Sequence, residues 1–105
     1  MLTMTAYKVR IDESAERDIL ELTAFLTSVM SRGLANRYID AMLSEIYSLS
    51  IFADLYRSSR YADIRAIHPA ARHMVSHNKK WAYIFHIEDD TVIIDRIRST
   101  KLIKR

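Results

Sequence analysis

Two closely spaced apolar runs near the C-terminal end of the sequence constrain the fold more than any other feature. Residues 81–87 have the sequence Trp-Ala-Tyr-Ile-Phe-His-Ile, and residues 92–97 have the sequence Val-Ile-Ile-Asp-Arg-Ile. Residues 88–90 between them are Glu-Asp-Asp, a polar stretch typical of a turn. Aromatic and β-branched residues favour a pleated sheet, and a strand that is apolar on both faces belongs at its centre. The two runs therefore predict a β-hairpin whose first strand lies in the middle of a sheet.

The N-terminal half predicts one strand followed by two helices. Residues 7–11 alternate between apolar and basic side chains, the period of a strand with one buried face. Residues 14–30 and 34–51 carry apolar side chains at spacings of three and four, as amphipathic helices do. Residues 31–33 interrupt this pattern, and we expect Gly33 to adopt a positive φ at the turn. Because the connection is short, the two helices should form an antiparallel hairpin.

The remaining segment is the least regular part of the sequence. Residues 53–71 are polar and basic, and they predict a connecting segment with one short strand near residues 64–67. Residues 72–77 predict a further strand before the terminal hairpin. The complete order is an N-terminal strand, an antiparallel helix hairpin and a C-terminal antiparallel β-meander. We therefore expect an α+β fold in two layers, helices on sheet, formed by one domain that covers residues 1–105.

The composition excludes several classes of protein. The 105 residues include no cysteine, which excludes disulfide bridges and thiolate metal sites. Half of the residues are hydrophobic, and a single glycine and a single proline leave little room for irregular chain, which excludes a disordered protein. No apolar run has the length of a membrane span, and residues 1–5 lack the pattern of a signal peptide. We therefore expect a cytoplasmic protein that does not associate with membranes.

The charge is distributed unevenly along the chain. The formal net charge is +3. Residues 1–52 contain five lysines and arginines and seven acidic residues, whereas residues 53–105 contain eleven and six. The basic residues continue to the end of the sequence with Lys104 and Arg105. Such asymmetry favours an anionic partner on the C-terminal half, but ordinary surface charge would give the same pattern, so both interpretations stay open.

The ordered set of segments resembles the ParE/RelE toxin superfamily. Residues 7–11 and 14–19 are similar to the opening strand and helix of these toxins, and residues 35–39 and 46–49 are similar to their second helix. Residues 81–97 resemble their terminal hairpin, an aromatic-rich strand, an acidic turn and a Val/Ile strand that ends in Arg-Ile. The long helix hairpin is closer to the ParE branch than to the RelE branch.

This resemblance implies the toxin of a type II toxin–antitoxin, or plasmid stabilisation, system. A cognate antitoxin would hold the toxin inactive in a hetero-oligomer. ParE toxins inhibit DNA gyrase, whereas RelE toxins are mRNA interferases that cleave messenger RNA on the ribosome. A ParE-like binding module that has lost its target is a third possibility. No cofactor is implied.

Cleavage of RNA would need groups that the sequence supplies only in part. The nucleases of the superfamily often carry a histidine or tyrosine in the last segment, where this sequence has Ser99. Arginine and lysine stabilise negative charge but transfer protons poorly near neutral pH, so this departure disfavours nuclease chemistry. If the protein is a nuclease, its candidate catalytic residues are Arg72, Arg98, Lys101 and His86. The candidate residues for binding the target or nucleic acid are Arg65, Lys79, Lys80 and Arg96.

The histidines and the basic linker leave further alternatives. His86 alternates with apolar residues on the central strand, where a hydrogen-bonded structural role is favoured over that of a base. His73 and His77 are four apart, but no nearby carboxylate completes a ligand set and the segment is not predicted as a helix, so we expect no metal site. Residues 56–61 place two arginines between two tyrosines, a mixture of cationic and aromatic side chains that suits either stacking on a partner or covering the helices.

Three apolar residues beside the main helical stripes are candidates for antitoxin binding. Leu20, Phe25 and Tyr47 lie next to the side chains that we assign to the core. Antitoxins of this superfamily commonly bind as an extended strand and a helix, which would cover such residues. The alternative is that the three side chains belong to a wider core face.

Overall fold

The structure is a computed structural model and describes residues 6–103. The N-terminal segment examined for a signal peptide, residues 1–5, and the basic pair Lys104 and Arg105 lie outside the described residues. The elements in chain order are β1 (Lys8–Ile11), α1 (Glu13–Val29), α2 (Arg32–Tyr47), α3 (Leu49–Phe52), α4 (Ala62–Arg65), β2 (Arg72–Val75), β3 (Trp81–Glu88) and β4 (Thr91–Ser99), with 3-10 turns at Ala53–Leu55 and Thr100–Leu102. None of the helices in this part of the chain is both long and apolar enough to cross a bilayer.

The four strands form one sheet in the order β1-β4-β3-β2. Strands β2, β3 and β4 are an antiparallel meander, and β1 pairs in parallel with β4, so that the predicted α+β fold is confirmed. Strand β1 is short and pairs with β4 only from Thr91 to Ile94. The rest of β4, from Asp95 to Ser99, therefore has one open edge.

The helix hairpin is tighter than the sequence predicts. The side chain of Asp12 caps α1 by accepting a hydrogen bond from the Ser14 N–H. Ser31 caps α2 in the same way and accepts from the Leu34 N–H, so α2 begins directly after it. The prediction of a positive φ at Gly33 is wrong, because the Ser31 cap brings Gly33 into the first helical turn.

The main core lies between the helices and one face of the sheet. A β-bulge in β4 determines which side chains reach it, because Phe85 lies opposite Ile94 while the preceding Ile84 lies opposite Arg96. Asp95 is the extra residue, so the strand changes its alternation there. The largest side chains of this core are Leu22, Leu26, Met42, Ile46, Leu49, Tyr83, Phe85, Val92, Ile94 and Ile97. Burial of each contributes roughly 1.5–3 kcal/mol to folding.

The segment between α3 and β2 covers part of the opposite face of the sheet. The predicted strand near residues 64–67 is wrong, since α4 and the turn after it are helical. Residues three apart point to the same side of a helical turn but to opposite faces of a strand, so the turn directs both Ile64 and Ile67 onto the sheet. Ile64, Ala71 and Ile84 form a second, smaller core there, with Ile67 packed against it.

Candidate functional site

A groove runs between helix α1 and the open edge of strand β4. Its volume is about 440 Å³, and Leu22 and Phe25 of α1 form one wall. Ile97 of β4 and Leu102 of the last turn form much of the other. Phe25 is 60% exposed and Leu102 is 64% exposed. We call this the α1–β4 groove. Large apolar side chains that line an exposed hollow are typical of a surface that binds a partner.

A charged pair fixes the width of the α1–β4 groove. Arg96 donates to both carboxylate oxygens of Asp18, with distances of 2.8 Å and 3.0 Å, and the Ile97 N–H donates to the same carboxylate at 2.9 Å. The hydrogen bond with Asp18 raises the pKa of Arg96 above its ordinary value. Arg96, a predicted target-binding residue, therefore already holds α1 against β4.

The floor of the groove is an unpaired strand edge. The Trp81 N–H donates to the Ser76 hydroxyl, and the Trp81 C=O accepts from the Ser76 N–H. Because Ser76 follows β2, both backbone groups of Trp81 point away from β4. Its partner Ser99 must then direct its own N–H and C=O away from β3 and toward the open edge. Beside Ser99, the Nε of Arg98 is buried and has no hydrogen-bond partner within residues 6–103. The open edge at Ser99 therefore leaves a backbone donor and acceptor that a bound chain can satisfy.

Three lysines line a second hollow beside the α1–β4 groove. Lys79, Lys80 and Lys101 line a hollow of about 290 Å³ together with Trp81, Ser99 and Thr100, and no acidic side chain lines it. Because Trp81 and Ser99 also line the α1–β4 groove, the two hollows are adjacent. We call these three residues the lysine cluster. The sequence predicted Lys79 and Lys80 as target-binding and Lys101 as catalytic, and the fold brings all three together.

Several hydrogen bonds hold the turn that carries Lys79 and Lys80. The Asn78 side-chain oxygen accepts from Lys80 N–H and from the Ser76 hydroxyl. Thr100 donates through its hydroxyl to the Lys79 carbonyl and through its N–H to the Lys80 carbonyl. Lys79 has a φ of 68°, in the left-handed region that costs a lysine about 1–2 kcal/mol. Such a conformation persists where neighbouring contacts determine it.

Helix α2 anchors the same turn from below. The Tyr38 hydroxyl accepts a hydrogen bond from the indole Nε1 of Trp81 at 2.8 Å and from the Asn78 amide at 3.0 Å. About two turns further along α2, Glu45 accepts a hydrogen bond from the His77 N–H at 3.0 Å. Lys79 and Lys80 are therefore presented on a turn that is fixed on two sides.

The His86 side chain is nearly buried, and both of its ring nitrogens lie near carboxylates. Its Nδ1 lies 2.7 Å from Asp95, the bulge residue, and its Nε2 lies 3.6 Å from Glu88. The ring of His68 stacks on it with a centroid distance of 3.8 Å, and His68 is itself held because its Nδ1 accepts from the Ala70 N–H. The His86 side chain is only 10% exposed. These contacts favour the structural interpretation of His86. The bulge that places Asp95 beside it was not predictable from the residue pattern of β4.

The other basic candidates lie apart from the lysine cluster. Arg72 of β2 donates to the Tyr56 carbonyl at 2.9 Å, and Arg65 is exposed on α4. His73 packs against Tyr61, and burial lowers the pKa of His73. In the described part of the chain, no three histidine, aspartate or glutamate side chains are grouped so that they could hold a metal ion.

The three predicted antitoxin-binding residues lie at different places. Leu20, Phe25 and Tyr47 are all more than half exposed, so the alternative that they extend the core is wrong. Only Phe25 lines the α1–β4 groove. Leu20 is five residues earlier on α1 and points about 140° away, while Tyr47 ends α2. Sequence reasoning missed Trp81 and Leu102 as groove residues, and the only signal was the apolar pair Leu102 and Ile103 between two lysines.

Comparison with known proteins identifies the family. The model of the ParE toxin of the type II toxin–antitoxin system parDE matches residues 9–102. The chain belongs to the ParE toxin family. No curated protein matches the sequence. The resemblance seen in the sequence is thus confirmed over nearly the whole length of the chain.

Solved structures agree with this assignment. A chain of the chromosomal ParDE toxin–antitoxin system from P. aeruginosa superposes with a TM-score of 0.75 at 13% identity, covering 90% of this chain and 97% of that one. A chain of the RelBE2 toxin–antitoxin complex from Mycobacterium tuberculosis superposes with a TM-score of 0.60 at 19% identity, covering 90% and 98%. By TM-score the fold is closer to this ParDE chain than to the RelBE2 chain.

Proposed function

We propose that this ParE-family toxin arrests growth by binding DNA gyrase in the cytoplasm, and not by cleaving RNA. The position of His86 carries the proposal. Cleavage through a 2′-hydroxyl needs a group that accepts a proton and a group that donates one, in reach of the phosphate. His86 is covered by His68 and bonded to Asp95, and it is the only histidine among the candidate catalytic residues.

The groups that are accessible support binding better than catalysis. Lys79, Lys80 and Lys101 are exposed, and they offer positive charge without a neighbouring carboxylate or imidazole in the same hollow. An ammonium group stabilises an anion but is a poor proton acceptor near neutral pH. A cationic surface on a rigid turn is suited to holding an anionic partner in one orientation.

A supercoiling assay with purified gyrase and relaxed plasmid tests this proposal. We expect the toxin to block supercoiling in a dose-dependent manner, and a toxin with Lys79→Glu and Lys80→Glu to block it less. Arg37→Glu is the control, since it reverses one exposed charge on α2 outside the lysine cluster. Normal supercoiling at an excess of folded toxin would rule out the gyrase target.

Ribosome-dependent cleavage of mRNA is the second candidate, and the lysine cluster with the basic C-terminal half of the chain is what favours it. Mapping of transcript ends after induced expression distinguishes the two. New cuts within translated messages would support the nuclease, and an unchanged set of ends together with growth arrest would support the gyrase proposal. Growth without arrest would favour an inactive binding module.

We further propose that a cognate antitoxin neutralises the toxin by occupying the α1–β4 groove, in a hetero-oligomer. The exposed apolar side chains of Phe25 and Leu102 support this site. The solved relatives are described as toxin–antitoxin systems or complexes, which supports a partner of the same kind. Leu20 and Tyr47 lie outside the groove, and their contact with the antitoxin stays a prediction. Phe25→Asp should abolish neutralisation by a co-expressed antitoxin, whereas neutralisation unchanged by Phe25→Asp would exclude the groove.

A further inference from the structure

We infer that the toxin binds an unpaired DNA strand beside β2, with a base stacked on Tyr61 and the phosphates held by arginines on one side and lysines on the other. The inference goes beyond the binding of gyrase and of an antitoxin, and it depends on neither. It gives a role to the two arginines between two tyrosines in residues 56–61, which the functions proposed above leave without one.

Three hollows lie next to one another in this part of the protein. The middle one has a volume of about 210 Å³, and we call it the tyrosine hollow. It is lined by Tyr61, His73, Val75, Thr100 and Ile103. Tyr61 and His73 also line a hollow of about 340 Å³ that contains Arg57 and Arg60, and Thr100 also lines the hollow of the lysine cluster. The tyrosine hollow is therefore adjacent to one group of arginines and one group of lysines.

The charge along these hollows has one sign. Arg57, Arg60 and the lysine cluster are all exposed. Among the described residues, no acidic side chain lines any of the three hollows. Cations that follow a path without carboxylates attract the phosphates of a nucleic-acid backbone. The charge therefore favours a polyanion that extends from one group of cations to the other.

The tyrosine hollow supplies a surface for a base. The rings of Tyr61 and His73 have centroids 5.5 Å apart with an angle of 48° between their planes, and both side chains are partly buried. Burial lowers the pKa of His73, so its ring is uncharged at neutral pH. Proteins that bind single strands stack unpaired bases on such rings. Acidic side chains of a peptide cannot stack in this way, which is why we favour a nucleic acid.

The apolar part of the tyrosine hollow favours thymine, and therefore DNA. Val75 is 40% exposed, and Ile103 is half-buried in the same lining. Apolar side chains contact the methyl group of thymine, which uracil lacks. The bases of a duplex are already paired and stacked, so a duplex cannot place a base in the hollow.

Hydrogen bonds hold the arginine-containing loop in position. Arg72 donates to the Tyr56 carbonyl at 2.9 Å, and the Ser59 N–H donates to the Ala71 carbonyl at 2.7 Å. The Ser59 hydroxyl oxygen accepts from the Tyr61 N–H at 3.1 Å. Because residues 56–61 are fixed along their length, binding requires little further ordering of the loop.

Fluorescence anisotropy with a labelled oligothymidine tests the inference, and about ten nucleotides match the usual site size for single strands. We expect binding at low salt. If each of the five lysines and arginines neutralises one phosphate, log K should fall against log salt with a slope of about −3.5. An oligodeoxyuridine of equal length should bind about fourfold more weakly, because it lacks one methyl group in the hollow.

Protein variants separate stacking from charge. Tyr61→Leu keeps an apolar side chain on the second core but removes the ring, so it should weaken oligothymidine binding about 5- to 150-fold, whereas Tyr61→Phe should retain it. Binding of a DNA duplex should not respond to Tyr61→Leu. Arg57→Glu with Arg60→Glu should weaken binding and reduce the salt slope by about 1.4. The control Arg37→Glu should change neither, and circular dichroism verifies that each variant is folded.

Three results would overturn the inference. The first is no binding at about 0.1 mM protein and low salt, the weak limit of non-specific affinity. The second is equal affinity of the unmodified protein and folded Tyr61→Leu, because charge alone would then account for binding. The third is tighter binding of an oligouridine than of the oligothymidine, which would indicate RNA as the ligand.

Amide chemical shifts locate the bound strand. Shifts at Tyr61, His73 and Val75 on addition of oligothymidine would support the tyrosine hollow, and shifts confined to the lysine cluster would contradict it. These experiments contain neither gyrase nor an antitoxin. A failure to bind DNA therefore leaves the proposed function intact, and normal supercoiling in the gyrase assay leaves DNA binding intact.

Discussion

Asp18 on helix α1 forms two hydrogen bonds with Arg96 on strand β4 and a third with the backbone of Ile97, across 78 and 79 positions of sequence. The Asp18 side chain is 12% exposed and Arg96 is 36% exposed. The Asp18 carboxylate therefore accepts the hydrogen bond from the Ile97 N–H that a longer β1 strand would accept. The same carboxylate also lines one side of the α1–β4 groove.

Replacing Asp18 should cost much of the stability of the protein. Asp18→Ala leaves the Ile97 N–H and a half-buried guanidinium without their acceptor, so we expect the free energy of unfolding to fall by about 1–3 kcal/mol. Urea denaturation measures this change. Asp40→Ala on the exposed side of α2 is the control and should change the stability by less than about 0.5 kcal/mol. Equal effects of the two substitutions would contradict the role given to Asp18.

The Tyr38 hydroxyl should stabilise the turn that carries the lysines. Tyr38→Phe removes the acceptor for Trp81 Nε1 and for the Asn78 amide, and we expect a loss of roughly 1–3 kcal/mol with faster amide exchange at residues 78–81. Tyr47→Phe removes an exposed hydroxyl and serves as the control. If exchange near residues 78–81 stays as slow as in the unmodified protein, the hydroxyl does not hold the turn.

Burial of His73 should make the stability depend on pH in a defined direction. Its pKa in the folded protein lies below the ordinary value of 6.5, so the unfolded chain binds the proton more readily. The stabilisation is present above about pH 6.5 and is lost as the pH falls through the pKa of the folded state. The urea midpoint should therefore fall less between pH 7 and pH 5 in His73→Gln than in the unmodified protein. An identical fall in both would mean that His73 does not contribute.

His86→Gln should preserve growth arrest if the toxin acts by binding. The side chain contacts Asp95 and His68 and is almost inaccessible to a target, so its loss affects stability and not the interaction surface. Growth after induction is measured together with circular dichroism of the purified variant. A folded His86→Gln protein that no longer arrests growth would contradict the binding proposal and favour proton transfer by this histidine.

Local sequence patterns predicted which elements form better than they predicted which elements pack or pair with each other. The runs at residues 81–87 and 92–97 predict strands by themselves, because most of their side chains are apolar and aromatic or β-branched. The parallel pairing of β1 with β4 was not predictable, since a strand of period two carries no information about its partner. The same local patterns predicted the order of the elements, and the structure confirms that order of strand, helix hairpin and meander.

The candidate site depended on relationships that no local pattern contains. Lys101 meets Lys79 and Lys80 only because β3 and β4 are antiparallel and place Trp81 opposite Ser99. The groove exists because β1 ends early, and the pairing of His86 with Asp95 depends on a bulge. The spacing of Ile64 and Ile67 was an available signal of a helical turn, although it was interpreted as a strand.

The early end of β1 has a consequence for the protein when it is alone. An open strand edge beside exposed apolar residues is a template on which a second chain can add a strand, and proteins with such edges tend to aggregate. The carboxylate of Asp18 blocks one position of this edge at Ile97, but Ser99 stays accessible. We therefore expect the isolated toxin to lose solubility at concentrations where its complex remains dispersed. Purification without a partner is best done dilute, and Asp18 is the residue whose loss should worsen self-association most.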